Sequence, residues 1–189
     1  MADSSPWPVE TERLLLRAAT PDDWEASWRY RSLPEVGEWI TRAFTDPVVF
    51  EQWFTDPHRI DRKVMIEHDG QVVGELMVRR ENAWSQYEVS EAAADAQVEL
   101  GWILHPDAAG RGFATEAVRA AIERCFTHLG VHRIVANCFA DNEASWRLME
   151  RVGMRREAHT RRDSLHRSGR WLDGYGYALL ADEFVVPER

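Results

Sequence analysis

The chain has 189 residues, 44% of them hydrophobic, a length and composition that predict one compact domain with ample chain for a core. Its net charge of −9 and pI near 5.3 disfavour a nucleic-acid duplex as partner and suit a cationic or amine-bearing substrate. The opening MADSSPWPVE lacks the basic and apolar regions of a signal peptide, and no apolar run approaches 18 residues, so no membrane span is expected. The two cysteines, Cys125 and Cys138, each fall in an apolar pattern and read as buried, reduced thiols of a cytoplasmic protein.

Glu12 to Arg17 (ERLLLR) reads as a first strand. Thr20-Pro21-Asp22-Asp23 opens a helix with a cap, a proline at the first position and acids in the first turn. Thr45-Asp46-Pro47 repeats that signal ahead of a stripe of Val49, Phe50, Trp53 and Phe54, so two or three helices precede the second strand. Lys63 to His68 and Gln71 to Arg80 flank Asp69-Gly70, a hairpin turn signal. Asn82 to Ala96 is polar and small, a loop.

Val98 to Leu104 is a bulky apolar run, read as a strand, that ends at His105-Pro106. Two glycines, Gly110 and Gly112, follow around Arg111. From Ala114 to Leu129 a single apolar stripe has the helical period, and Gly130 ends it. The order strand, glycine turn, helix is one that binds phosphate, because first-turn amides are unpaired and glycine lets an anion reach them. No Gly-Lys pair exists for a Walker loop, and Thr115 stands where a Rossmann fingerprint needs its third glycine. What remains is x-x-x-G-x-[GA] over Ala109 to Ala114, or an ordinary turn that uses glycine for positive φ. His132 to Ala140 reads as the next strand, Asp141-Asn142 caps a helix over Glu143 to Val152, and strands are expected near Arg155 to Arg161 and Trp171 to Leu180. His128 and His132 lie four apart, but Gly130 interrupts the helix between them, so no metal pair is expected.

Five stretches together resemble the GNAT superfamily of acetyl-CoA-dependent N-acetyltransferases, in its RimJ/RimL-like subgroup of ribosomal-protein N-terminal acetyltransferases. They are Thr11 to Arg17, Glu99 to Pro106, Ala109 to Thr115, Asn142 to Met154, and Gly169 to Leu180. The resemblance spans about residues 10 to 184 and implies a single domain over 1 to 189. It implies an α/β fold with a mixed, mostly antiparallel seven-stranded sheet, helices on both faces, and splayed fourth and fifth strands that hold the acyl-CoA. By the same resemblance, acetyl-CoA is the co-substrate, the acceptor is a primary amine on a protein N-terminus or small molecule, and attack is direct in a ternary complex. The subgroup often forms homodimers, which is the analogy for this chain.

The resemblance implies that Ala109, Gly110, Arg111, Gly112, Phe113, Ala114 and Thr115 hold the pyrophosphate, and that backbone groups of Trp102, Ile103 and Leu104 pair with the pantetheine arm. Asn142 touches that arm besides capping its helix, and the Ser145 hydroxyl donates to the departing thiolate. Glu99 is the leading candidate for taking the amine's proton, through a water. Strand alternation sets it beside Gly101 and Ile103, apolar surroundings that would raise its pKa; the alternative is a rim carboxylate in an ion pair. Asp173 is the second candidate, or else a structural bond to a nearby loop. The chain departs from the family at three positions. Ala109 replaces a polar residue, Met149 replaces a tyrosine acid, and Asn137 replaces a glutamate base. Met149 and Asn137 motivate one alternative, a non-catalytic acyl-CoA sensor; a transferase of another acyl group such as succinyl is a further one. Of nine tryptophans, Trp24, Trp28, Trp39, Trp53 and Trp84 lie in the half where the family places its acceptor pocket, and most are expected in the core.

Overall fold

A computed structural model describes residues 5–185, so part of the N-terminal segment read above lies outside the described residues. The strands are β1 (Val9–Glu10), β2 (Leu15–Ala18), β3 (Lys63–His68), β4 (Gln71–Glu81), β5 (Gln97–Leu104), β6 (Arg133–Phe139), β7 (Arg155–Leu165) and β8 (Trp171–Leu180). The helices are α1 (Trp24–Arg31), α2 (Pro34–Gly37), α3 (Pro47–Phe54), α4 (Pro57–Ile60), α5 (Phe113–Thr127) and α6 (Glu143–Arg151). The sheet has eight strands in the order β1-β2-β3-β4-β5-β6-β8-β7. Its described pairs are antiparallel except β5 with β6, which run parallel from Gln97↔Arg133 to Glu99↔Val135.

The eighth strand beyond the expected seven arises at the N-terminus. The single strand expected over Glu12 to Arg17 is instead a short hairpin, β1 and β2. Thr11 N–H donates to Leu14 O at 2.9 Å, and Leu14 N–H donates back to Thr11 Oγ1 at 3.0 Å, which closes a turn through Glu12 and Arg13. Four short helices, rather than two or three, separate β2 from β3, because each of Pro34, Pro47 and Pro57 starts a new one.

The chain divides into two compact units. One reaches to Val78 and takes in Trp102–Ala120; the other comprises Arg79–Gly101 and the chain from Ala121 onward. In the first unit, Asp46 caps α3 by accepting from the amides of Val48 (2.8 Å) and Val49 (3.2 Å). The helix then buries Phe50 and Phe54 with Phe44 and Met65, and Trp24, Trp28 and Trp53 pack on that cluster. Three of the five N-terminal tryptophans therefore pack against the core while remaining partly exposed, and Trp84 is 94% exposed. Val49, read as part of the same stripe, is 42% exposed.

Beneath this cluster lies a polar knot that the sequence did not signal. Glu75 on β4, 3% exposed, accepts from Ser27 Oγ (2.9 Å), Tyr30 Oη (2.9 Å), Lys63 Nζ (2.8 Å) and the guanidinium of Arg31. Burial alone would raise its pKa, but the charges of Arg31 and Lys63 more than reverse that and hold it far below the ordinary carboxylate value. In the second unit the buried side chains include Val98, Leu100, Ile122, Ile134, Leu148, Met149 and Tyr177. Neither cysteine is in a disulfide. Burial pushes the Cys125 thiol up to about 12 and Cys138, despite a hydrogen bond from Ser145, up to about 11. Both thiols should therefore react slowly with an aromatic disulfide reagent at pH 8 and rapidly once urea unfolds the chain. Fast modification of the native protein would contradict this.

Candidate active site

The first unit carries the glycine turn. A 3₁₀ turn over Pro106–Ala108 leads from β5 into it, and the first backbone bond of α5 closes from Glu116 N–H to Gly112 O at 3.1 Å. The amides ahead of Glu116 lie outside the helix's own ladder and are open to an anion. Gly110 (φ 73°) and Gly112 (φ 82°) both adopt the left-handed conformation, and a Cβ placed on Gly110 would meet nothing within 4 Å. Residues 109–112 are exposed, while Phe113 is buried and anchors the turn.

Around the turn the N-terminal hairpin and β3 form a brace that sequence reasoning missed, because Arg13 was read only as a strand residue. Arg13 Nη1 donates to Arg111 O at 3.0 Å, and Arg13 pairs with Glu116 at 2.6 Å. Glu116 also accepts from Thr11 Oγ1 at 2.6 Å and Arg13 N–H at 2.9 Å. Burial raises the Glu116 pKa, but these bonds outweigh it, and the net shift is downward. Its negative charge at the start of α5 is thus matched by the Arg13 guanidinium. His68 completes the brace: Arg111 Nη2 reaches His68 Nε2 at 3.1 Å, and His68 Nδ1 lies 3.0 Å from Arg13 O. A guanidinium only donates, so Nε2 accepts and the ring proton sits on Nδ1, donating to Arg13 O. Trp102, Ile103 and Leu104 form the end of β5. Beneath them, β4 approaches so closely at Gly74 that a Cβ there would lie 2.5 Å from Ile103 O.

The second unit carries the other predicted residues. Glu99 is not in the apolar surroundings expected. It is ion-paired with Arg79 and accepts from Asn137 Nδ2 at 3.3 Å, so the rim ion pair is what the fold makes. Arg79 also pairs with Glu81 at 2.8 Å, and its Nε is buried with no partner among the described residues. The cause is β4, which sets Arg79 beside β5, a cross-strand neighbour no local pattern reveals. Asn142 caps α6 by accepting from Ser145 N–H at 3.3 Å, and the Ser145 side chain hydrogen-bonds Cys138. Met149 is 1% exposed and belongs to the core.

Asp173 on β8 bonds across to β7, the loop-type contact foreseen as its alternative. It accepts from Arg162 N–H at 2.9 Å and lies 2.9 Å from His159 Nε2. The His159 bond, then the Arg162 amide, holds the Asp173 carboxyl below the usual range, which makes it a weak base at neutral pH. Three residues, 161 to 163, bulge out of β7 opposite Asp173, where pairing passes from Thr160↔Gly174 to Ser164↔Leu172. Among the described residues no group of three or more His, Cys, Asp or Glu is arranged to hold a metal, and no helix is long and apolar enough to cross a membrane.

The fold and the glycine turn define an acyltransferase of the GNAT class, and the chain belongs to that family: the acetyltransferase (GNAT) domain matches residues 13–155. Among curated proteins it is similar to the uncharacterized N-acetyltransferase YnaD of Bacillus subtilis, 28% identical over 93% of this chain and 98% of that one. Among solved structures it is similar to a GNAT-family acetyltransferase from Bacillus anthracis, with 28% identity, a TM-score of 0.79, and coverage of 94% and 100% of the two chains. RimJ of Mycobacterium smegmatis, solved in complex with CoA-disulfide, shares the fold at 23% identity and a TM-score of 0.73, covering 94% and 90%.

Proposed function

We propose that this protein is an N-acetyltransferase of the RimJ/RimL-like kind, a single catalytic domain that works in the cytoplasm. It moves the acetyl group of acetyl-CoA to a primary amine by direct attack in a ternary complex. The observation that carries this reading is the pair of left-handed glycines at the start of α5, whose open backbone amides are braced by Arg13 and His68. That brace fits a diphosphate: it presents several N–H donors, keeps Glu116 neutralised, and adds the positive charge of Arg111.

Other residues take their roles by the family resemblance. Backbone groups of Trp102, Ile103 and Leu104 pair with the pantetheine arm, and Asn142 adds a contact. Ser145, whose hydroxyl already bonds a sulfur in Cys138, donates to the departing thiolate. From the residues themselves, Glu99 takes the amine's proton through a water, a role its pairing with Arg79 works against, and Asp173, bonded to His159 and the Arg162 amide, is the second candidate for that step.

Incubation with acetyl-CoA and a panel of peptides, amino acids and polyamines should release free thiol. Glu99→Gln should lower kcat by about 10²- to 10⁴-fold and leave acetyl-CoA binding intact. Thermal stabilisation by acetyl-CoA with no thiol release from any amine would instead favour the sensor reading, which the buried Met149 supports by offering no acid at that place. Faster release from succinyl-CoA would move the assignment to another acyl group.

A further inference from the structure

Within the second unit an open groove of about 1000 Å³ runs along the β7–β8 hairpin, lined in part by Asp141, His159, Arg162, Arg170, Trp171 and Asp173. Three observations give it a chemical character. First, this chain has 32 acidic and 23 basic residues, and several arginines of the unit are matched: Arg133 pairs with Glu157, and Arg155 with Glu157 and Glu183. Neither Arg162 nor Arg170 has a side-chain ion pair among the described residues. Second, Arg162 sits at φ 48°, in the left-handed region that side chains other than glycine avoid, at the crest of the β7 bulge. Asp173 holds it there through the Arg162 amide, and bulges of this kind redirect side chains at sites. Third, Trp171 is 57% exposed beside these cations, and His159, with Nε2 committed to Asp173, keeps Nδ1 for a ligand. Asp141 and Asp173 set negative charge among the cations, which suits a zwitterion better than a bare anion.

We infer that this groove receives the acceptor, and that the acceptor is an amine with an acidic side chain beside it, with Arg162 and Arg170 gripping the side-chain carboxylate and Trp171 covering the chain between. Ala140 and Asp141, which line the groove, directly precede Asn142, the residue assigned to the coenzyme arm, so the groove opens beside the proposed reacting end. Two sources share this chemistry, a free acidic amino acid and a peptide amino terminus with an acidic residue next to it. The inference rests on the acetyltransferase reading.

The test compares aspartate, glutamate, glutamine, spermidine, and short free-amino peptides with either an acidic or a neutral second residue. Acidic acceptors should exceed their neutral counterparts by roughly 10- to 100-fold in kcat/KM. The Arg162→Gln/Arg170→Gln double variant, checked by Tm for folding, should abolish that preference through KM and leave KM for acetyl-CoA unchanged. The amino-acid and peptide arms then separate the two sources. Preference for spermidine, or an acidic preference that survives in the double variant, overturns the inference while leaving acetyl transfer in place. If no acceptor releases thiol, the acetyltransferase reading fails by itself, and calorimetric titration of the acidic peptide into the CoA-loaded protein decides the groove. Binding at least 10-fold weaker in the double variant supports it, whereas equal binding or none overturns it.

Discussion

Glu75→Gln should destabilise the protein by about 3–5 kcal/mol, the range for removing one partner of a buried ion pair. The carboxylate is 3% exposed and accepts from Arg31, Lys63, Ser27 and Tyr30. The amide keeps the shape but removes the charge, so two cations are left buried beside a neutral group. For a chain of 189 residues the loss corresponds to a fall in Tm of roughly 10 °C. Scanning calorimetry of the variant checks the number, and a change below about 3 °C would contradict it. A triple variant with Glu75→Leu, Arg31→Met and Lys63→Met tests the cause. Removing all the charge together should recover most of the loss, because the cost comes from charge left without a partner. The pH dependence has a definite sign. A carboxylate whose folded pKa is depressed contributes stability above its unfolded value, and that contribution is lost as pH falls toward the folded value. Since Glu75 is held far below the ordinary range, its contribution is complete at neutral pH, begins to fall once pH drops below the ordinary carboxylate value, and goes on falling well beneath it. In Glu75→Gln the acid limb of the stability profile should flatten correspondingly.

Gly110→Val and Gly112→Val should each weaken binding of CoA by about 100-fold, as read by calorimetry. Both backbones are left-handed, at φ 73° and 82°, and that conformation costs a residue with a Cβ about 1–2 kcal/mol, more when the side chain is β-branched. The turn would relax to negative φ and swing its amides away from the anion. At Gly112 the added Cβ also comes within 3.4 Å of Arg13 Nη2, an ordinary contact with the end of a flexible side chain, so the backbone conformation remains the main cost there. Gly110→Asn is the informative control. Asparagine tolerates left-handed φ, and the space beyond Gly110 is open, so binding should fall by less than 10-fold. Equal loss in the asparagine and valine variants would mean that occlusion, rather than backbone geometry, governs the turn.

The sequence by itself determined the elements whose signals are local. The period-3.6 stripe of α5, the Asp-Gly turn between β3 and β4, the Asn142 cap and the glycine pair are all written in neighbouring residues, and the fold places them where they were read. The order of strand, glycine turn and helix is likewise legible in neighbouring residues, and the phosphate site proposed there needs main-chain geometry more than any side chain. Only the tertiary structure decided which charges meet. Arg13 reaches Glu116 across 103 residues, Arg31 reaches Glu75 across 44, and Arg79 reaches Glu99 across 20. Each pairing depends on strand order and register, which one sequence does not reveal. That is why Glu99 was expected among apolar neighbours and lies instead against a guanidinium, and why Asp173 proves to be the support of a histidine and a bulge.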